Sequence, residues 1–187
     1  DSLVRSPENL MELYYSSVGR NSNLLLNVPP DRRGLLHEND VKSLLAFREL
    51  REKEFSMDLA KGKSAQSTQN RGRQFIASFV NDGDPETYWA TSDDVKSATI
   101  TVNLGVRTEV NRVLIQEYIK LGQRVAKYSV YAMVDGKWVQ VAEGTTIGHK
   151  IIRKFPVVLT TDIRISIDDA KACPAISNIE LFRAPGD

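Results

Sequence analysis

The stretch YSVYAMVDGKWVQVAE, residues 128–143, places an Asp-Gly pair between two runs of strand-forming residues. Every second residue from Tyr128 to Val134 is a candidate for one face of a strand, and the residues between them lie on the other face. Asp135-Gly136 is the kind of dipeptide that most strongly favours a two-residue hairpin turn. The stretch therefore predicts two antiparallel strands, each with one buried face.

The same period of two recurs on both sides of this hairpin. Strand-like runs occupy residues 98–104, 110–116, 163–167 and 177–184, and no helical pattern lies between them. Together with the hairpin they give at least six strands of about five residues in succession, which is typical of a β-sandwich or jelly roll. We therefore predict a mainly β protein in which residues 61–187 form an all-β domain.

Residues 1–60 follow a different pattern. Ser6 and Pro7 supply an N-cap and a first helical position, so a helix is predicted over residues 7–18, ending at Gly19. The apolar run LLLNV at residues 24–28 predicts a strand covered on both faces, as in a parallel sheet flanked by helices. A second helix is predicted from Asp40 to about residue 59. The predicted order is helix, strand, helix.

A parallel strand needs neighbours for its backbone groups, and this chain offers a single unit of that kind. We interpret residues 1–60 as the last βα unit of a larger α/β domain, attached to a complete sandwich. The two helices are expected to cover the strand and pack onto the sandwich, unless a second copy of the chain pairs with it in a homodimer.

Charge and composition exclude several classes of protein. Lys and Arg total 25 against 24 Asp and Glu, without a long block of either sign, so a nucleic-acid partner is not predicted. No apolar run is long enough to cross a membrane, and residues 1–10 lack the regions of a signal peptide. A single cysteine, Cys173, excludes an internal disulfide framework. We expect a soluble protein without a membrane partner.

Longer motifs in both halves resemble known families. The stretch YYSSVGRNSNLLLNVPPDRRGLLHENDVKSLLAF resembles the end of the TIM-like catalytic barrel in family 29 glycoside hydrolases, the α-L-fucosidases. The motifs FVNDGDPETYWAT, VNLG and IELF resemble a discoidin domain, also called a coagulation factor five/eight type C domain and grouped with family 32 carbohydrate-binding modules. The motifs IQEYIKLGQRV and GTTIG resemble the discoidin-like domain that follows the barrel in bacterial fucosidases.

These resemblances imply a periplasmic or extracellular parent that releases L-fucose from glycans by a retaining mechanism. In that family the nucleophilic aspartate precedes the strand equivalent to residues 24–28, so we predict that this chain lacks the catalytic carboxylates and is inactive alone. Its partner would be the N-terminal catalytic barrel, with the sandwich as an accessory that can touch sugar. The alternative is an autonomous carbohydrate-binding module of the family 32 type.

The segment NDGDPET, residues 81–87, concentrates oxygen ligands in a short turn. Asp82, Asp84 and Thr87 predict a site for a hard cation such as Ca²⁺. The discoidin resemblance implies the Phe79 carbonyl and the Glu180 carboxylate as further ligands, so that the ion would join the first loop to the last strand. The alternative is that the aspartates cap a solvated turn without metal.

The segment QEYIKLGQR, residues 116–124, clusters polar side chains in a loop, where sandwich scaffolds carry function. Tyr118 could stack on a pyranose ring, and Arg124 could hydrogen-bond to sugar hydroxyls or to a carboxylate. His149, in a second loop, could donate to a sugar hydroxyl. The alternative is an interface with the barrel, in which Arg124 pairs with Glu117 or with an acid of that domain.

Other conspicuous residues are assigned to packing or to solvent. Trp89 and Trp138 are expected to pack on the sandwich and not to bind sugar. His37 and His149 have no second zinc-type ligand near them in sequence, so a zinc site is not predicted. Cys173 is expected to be a small packed residue without nucleophilic function.

Overall fold

The computed structural model describes residues 4–185, in which two helices precede seven strands. The helices are α1 (Pro7–Ser16) and α2 (Glu38–Glu54); the strands are β1 (Ser64–Ser67), β2 (Trp89–Ala90), β3 (Ala98–Glu117), β4 (Val125–Val134), β5 (Lys137–Gly144), β6 (Ile151–Ala170) and β7 (Ala175–Phe182). Two 3-10 turns, Ala77–Val80 and Ile119–Leu121, lie in the connections. No helix in this described part of the chain is long and apolar enough to cross a membrane.

All strand pairs are antiparallel, in the order β2-β7-β3-β6-β4-β5, with β1 added beside β3. The strands β3 and β6 are each 20 residues long, and their pairing shifts register twice. The first half of β3 pairs with β1 and its second half with β7, so these long strands pass from one layer to the other. The predicted mainly β, discoidin-like sandwich is confirmed, although residues 98–104 and 110–116 belong to one strand.

The predicted hairpin is present between β4 and β5. Asp135 and Gly136 have φ angles of 48° and 78°, the left-handed pair that a tight hairpin turn of this type requires. Val134 faces Lys137 across the turn, and the alternation places Tyr128, Val130 and Ala132 in the core.

The core of the sandwich is formed by the alternating apolar residues of its long strands, such as Ile100, Ile163 and Ile165, which are fully buried. Trp89 is 0% exposed, and its indole N–H donates to the Gln69 carbonyl at 2.8 Å. Trp89 is therefore a core residue, as expected. Each such large apolar side chain contributes about 1.5–3 kcal/mol relative to exposure.

The helix start predicted at Ser6 is confirmed, since its hydroxyl accepts from the Asn9 N–H at 3.2 Å. The helix ends at Ser16, two residues before the predicted end. Gly19 closes against it, with its N–H bonded to the Tyr14 carbonyl at 3.0 Å. A Cβ at Gly19 would lie 2.6 Å from the Tyr15 carbonyl oxygen, which explains the glycine.

The second helix begins at Glu38, before the predicted Asp40, and ends at Glu54, before the predicted residue 59. Its N-cap is His37, whose Nδ1 accepts from the Asn39 N–H at 3.2 Å. The assignment of His37 to solvent was therefore incomplete, because its ring satisfies an N–H of the first helical turn.

The predicted strand at residues 24–28 is wrong for this chain. The segment is extended, but it pairs with no strand within residues 4–185. Leu25 is 95% exposed, whereas Leu24 and Leu26 pack against the helices, so one face of the segment is covered and the other is bare. A strand requires a neighbour for its ladder, and the described chain supplies none at this position.

The helices do pack onto the sandwich, as expected. Leu10, Met11, Tyr15 and Phe47 of the helices share a second core with Leu114, Ile152 and Phe182 of the sandwich. The loop after α1 also bonds to the start of β6, where Ile152 N–H donates to the Gly19 carbonyl at 3.0 Å. We call this contact between helices and sandwich the joint.

Candidate functional site

A cleft of about 310 Å³ opens at one end of the sandwich, where β3 leaves the sheet. We call it the loop cleft. Its walls come from the 83–86 turn, the 116–120 segment, His149 and the end of β7; the lining residues that matter here are Glu86, Gln116, Tyr118, Lys120, Asn178 and Glu180. Three of the four predicted sugar-contact or interdomain residues, Glu117, Tyr118 and His149, thus meet in one cavity, together with Asp84 and Glu180 of the predicted metal set.

Glu117 is also among the residues that line this cleft, although it is only 3% exposed. Its Oε1 accepts from the backbone N–H groups of Arg124 at 2.7 Å and Val125 at 2.9 Å, and its Oε2 accepts from Gly148 N–H at 2.6 Å. The carboxylate is therefore engaged with protein, because it ties the 118–124 loop to the loop that carries His149. Among the predicted binding residues, Glu117 is a structural support.

Tyr118 forms part of an aromatic stack. Its ring lies 4.2 Å from that of Tyr88 at an interplanar angle of 14°, and Tyr88 in turn contacts Phe75 at 5.0 Å. One face of Tyr118 is thus occupied by protein, which restrains the ring as a wall of the cleft. Lys120 lies 5.8 Å from the ring and pairs with Glu86 at 2.7 Å, and this carboxylate raises the pKa of the Lys120 ammonium.

A network of amides forms the opposite wall. Asn178 donates to the Gln116 side-chain carbonyl at 3.0 Å and to Glu180 Oε1 at 2.7 Å, while Gln116 donates to the His149 carbonyl at 3.0 Å. The sequence interpretation missed Gln116 and Asn178 as site residues. Gln116 and Asn178 face each other on the neighbouring strands β3 and β7. The alternation of side chains along these strands is the signal by which they could have been identified.

Arg124 does not line the loop cleft. Its guanidinium Nη1 donates to the backbone carbonyl of Cys173 at 2.9 Å. The same nitrogen lies 2.9 Å from the Cys173 sulfur. The predicted side-chain pair between Arg124 and Glu117 is absent from the described structure, and only the Arg124 backbone N–H meets that carboxylate. Cys173 is buried, as expected of a packed residue.

The predicted metal turn is held by its own hydrogen bonds. Asp82 accepts from Asp84 N–H at 2.9 Å and from the Thr87 hydroxyl at 2.8 Å, and Asp84 accepts from Glu86 N–H at 2.9 Å. These are the contacts of a capped turn. They also bring hard oxygen donors of Asp82, Asp84 and Thr87 close together, which is the donor chemistry that Ca²⁺ prefers.

The two further ligands implied by the resemblance, Phe79 and Glu180, lie outside the 82–87 turn. Phe79 lies in the 3-10 turn Ala77–Val80, and Glu180 borders the loop cleft together with Asp84. The structure describes no group of three or more His, Cys, Asp or Glu side chains arranged around a common metal position in residues 4–185. A calcium site here would therefore depend on carbonyl and hydroxyl oxygens in addition to carboxylates.

The joint has a polar centre beside its apolar core. Arg112 Nε donates to the Tyr15 hydroxyl at 2.9 Å, and this hydroxyl donates to Glu54. Burial and the hydrogen bond to Glu54 raise the pKa of Tyr15 far above its usual value. Lys154 lies 4.2 Å above the Tyr15 ring and pairs with Glu12. The joint is thus a satisfied, partly buried contact between helices and sandwich.

Comparison with known proteins assigns the sandwich to a family. A model of the F5/8 type C domain matches residues 63–181, and the chain therefore belongs to the F5/8 type C domain family. Alpha-L-fucosidase 1 of Arabidopsis thaliana is 34% identical over 179 residues, which are 92% of this chain and 35% of that protein. A relative from Oryza sativa subsp. japonica, provisionally assigned the same activity, is 38% identical over 95% of this chain and 35% of its own length.

Solved structures show the same relationship. The crystal structure of SpGH29 matches 97% of this chain and 40% of its own, with a TM-score of 0.92 and 33% identity. A Ruminococcus gnavus GH29 fucosidase in complex with fucose matches 96% of this chain and 37% of its own, with a TM-score of 0.89 and 33% identity. This chain therefore spans roughly a third to two fifths of the length of these proteins.

The sandwich also resembles a separate binding module. The chitosan-binding module 1 of a Paenibacillus sp. IK-5 chitosanase/glucanase covers 67% of this chain and 98% of that module, with a TM-score of 0.62 and 25% identity. Such a fold therefore also exists as a discrete module.

Proposed function

We propose that this chain is the C-terminal region of an α-L-fucosidase, in which the sandwich and the two helices act as one support for the catalytic barrel. Relatives named as fucosidases align with nearly the whole chain, across the helices as well as the sandwich. A domain that only bound sugar would need no partner strand for residues 24–28. The full-length parent would release L-fucose from glycans by a retaining mechanism, outside the cytoplasm, with catalytic carboxylates that lie outside this chain.

The observation that carries the proposal is the asymmetry of residues 24–28. Leu24 and Leu26 face the helices, whereas Leu25 is 95% exposed and the backbone has no ladder partner within residues 4–185. Exposed Leu36, just before α2, and exposed Val41 and Leu45 on α2 add further apolar surface. A barrel strand paired beside this segment would satisfy its backbone and bury this face.

The test is a chimera of Arabidopsis alpha-L-fucosidase 1 in which this chain replaces its matching region. The chimera is expected to hydrolyse an aryl fucoside, whereas this chain alone is expected to show no turnover. Leu25→Asp should abolish activity of the chimera because it puts a charge into the proposed interface. Leu159→Asp, at a residue 43% exposed on β6, is the matched control and should leave activity intact.

Two outcomes would contradict this proposal. One is fucosidase activity that persists in this chain after repurification. The other is full activity of the Arabidopsis enzyme after deletion of the matching region. Sedimentation of the isolated chain tests the alternative occupant of residues 24–28, because a homodimer through this segment would dissociate in the Leu25→Asp variant.

A second candidate function is contact with carbohydrate at the loop cleft. The favourable observation is the combination of a restrained Tyr118 ring with the Gln116 and Asn178 amides, since sugar sites need an aromatic wall and oriented hydrogen-bonding groups. The resemblance of the sandwich to a chitosan-binding module supports the same reading. Under this proposal the sandwich is an autonomous carbohydrate-binding module.

Calorimetric titration with L-fucose, galactose and fucosylated oligosaccharides tests this second function. Saturable binding that disappears in Tyr118→Ala would support it. Tyr131→Ala, on β4 and outside the cleft lining, is the control and should bind normally. Absence of binding by the unmodified protein at millimolar sugar would contradict this second function, and support of the barrel would then be the one proposed role.

We also propose a structural Ca²⁺ at the 82–87 turn. The support is the close grouping of the Asp82, Asp84 and Thr87 oxygens, with Thr87 Oγ1 lying 3.1 Å from the Asp84 carbonyl oxygen. The ion would replace hydrogen bonds that now close the turn, so it would add stability and take no part in a reaction.

A further inference from the structure

A second cavity, of about 550 Å³, lies where the helices meet the sandwich. We call it the joint groove. Tyr14 and Phe47 form its apolar wall, and Asn23 lies just before the extended segment 24–28. Arg51, His149 and Lys150 bring nitrogen groups from helix α2 and from the loop before β6. No carboxylate lines this groove in the described part of the chain.

The two cations of the groove have no carboxylate partner in the described part of the chain. Arg51 and Lys150 are half-buried, yet within residues 4–185 neither side chain makes a hydrogen bond or an ion pair. Two other cations in these parts of the chain do have carboxylate partners: Arg48 pairs with Glu52 at 2.7 Å and Lys154 with Glu12 at 2.5 Å. Charge that loses part of its hydration without a partner carries a cost, which a bound anion would offset.

The carboxylates of the adjoining surface have other partners. Glu52 and Glu180 border the adjoining surface, on which Arg51 and Lys150 also lie. Glu52 pairs with Arg48, however, and Glu180 accepts from Asn178. Neither one forms an ion pair with a groove cation in the described chain, so Arg51 and Lys150 remain available to a bound anion.

We propose that the joint groove binds an oxyanion, a carboxylate or sulfate group that is either free or carried by a sugar. The Arg51 guanidinium can bind two oxygens of one such group, and the Lys150 ammonium adds a point charge. The apolar wall of Tyr14 and Phe47 limits water around the pair and strengthens the attraction. His149 borders both this groove and the loop cleft, so the two cavities adjoin, and the sugar-borne form of the oxyanion rests on the proposed sugar contact at the cleft.

The test is calorimetric titration of the 187-residue chain with sodium sulfate, sodium glucuronate and glucose, with ionic strength held constant by sodium chloride. Both anions are expected to bind and glucose is not. The double variant Arg51→Gln/Lys150→Gln should weaken anion binding at least about tenfold, because two charge-assisted contacts are lost. The control Lys53→Gln/Lys127→Gln removes the same charge at exposed positions and should change affinity by less than about twofold.

The titrations with sulfate and with glucuronate identify the source of the oxyanion. Tighter binding of glucuronate than of sulfate assigns the groove to an acidic sugar, whereas equal or tighter binding of sulfate assigns it to a free anion. Absence of binding by both anions, or equal losses in the groove and control variants, would overturn the proposal. If the groove variant fails to fold, amide chemical shifts of the unmodified protein decide: sulfate must perturb Ser22, Asn23 and Lys150 more than chloride does.

Discussion

Arg112 donates to the hydroxyl of Tyr15 at 2.9 Å, and this one oxygen connects the sandwich to both helices. Tyr15 comes from α1, Arg112 from β3, and the hydroxyl proton is given to Glu54 at the end of α2. Arg112 is 2% exposed, so its charge depends on these partners. The relative position of helices and sandwich is thus fixed by a buried polar contact within an apolar joint.

Tyr15→Phe removes the shared hydroxyl and leaves the ring. We expect a loss of about 1–3 kcal/mol in the free energy of unfolding, because Arg112 and Glu54 each lose a buried partner. Urea denaturation followed by circular dichroism measures this loss. Tyr14→Phe, at a half-buried neighbour in the same helix, is the control and should cost less than about 0.5 kcal/mol. Equal stability of the two variants would refute a structural role for the Tyr15 hydroxyl.

The raised pKa of Tyr15 predicts how the free energy of unfolding changes at alkaline pH. Burial and the Glu54 hydrogen bond raise the pKa of Tyr15 above its usual 10.0. The folded protein therefore keeps a proton that the unfolded chain releases, and its stability should fall as the pH rises above about 10. Burial raises the pKa of Tyr128 in the same direction. Urea midpoints between about pH 9 and 11 should fall less steeply in Tyr15→Phe than in the unmodified protein.

Local patterns in the sequence predicted the sandwich because the turns and the strands that pair across them all lie within this chain. The Asp135-Gly136 turn and the alternation of β4 need only neighbours close in sequence. The strand at residues 24–28 could not be judged in this way, because an apolar run does not reveal whether a partner strand is present. Arg124 shows a second limit: its charge suggested a ligand contact, but the fold directs its guanidinium to the Cys173 carbonyl.

Asp58 connects the end of the helical segment to the last strand. Its Oδ1 accepts from Ala60 N–H at 2.9 Å and from Leu181 N–H at 3.0 Å. Burial raises the pKa of Asp58 above 3.8, although these N–H groups oppose the shift. The ionised carboxyl therefore reduces stability at neutral pH, and this cost disappears as the pH falls through the raised pKa.

Asp58→Asn keeps the acceptor oxygen without its charge, so we expect equal or greater stability at pH 7 than in the unmodified protein. Asp58→Ala should instead lose about 1–2 kcal/mol, because two N–H groups lose their acceptor. Urea unfolding at about pH 7 and pH 4 measures both effects, and the difference between the Asn variant and the unmodified protein should narrow at the lower pH. An Asn variant as unstable as the Ala variant would contradict this account.

The hydrogen bonds of Glu117 predict that the same carboxylate stabilises the protein and holds the two loops of the loop cleft together. Glu117→Ala removes the acceptor of three backbone N–H groups, and we expect a loss of about 2–4 kcal/mol in urea unfolding. Glu117→Gln should lose less, since it retains one of the two acceptor oxygens. The control Glu109→Ala breaks an exposed pair with Arg183 and should cost less than about 1 kcal/mol. Equal losses at positions 117 and 109 would show that the two loops do not depend on this carboxylate.

Calcium gives a direct test of the 82–87 turn. If the oxygens of Asp82, Asp84 and Thr87 hold the ion, calcium at about a hundredfold excess over its Kd should raise the melting temperature by on the order of 5 °C relative to EDTA. Magnesium should do much less, because it demands tighter octahedral geometry. Asp82→Asn should remove most of the calcium effect, while Asp94→Asn, at an exposed loop position, should keep it. Identical melting in calcium and EDTA would mean that the hydrogen bonds of Asp82 to Asp84 and Thr87 hold this turn without an ion.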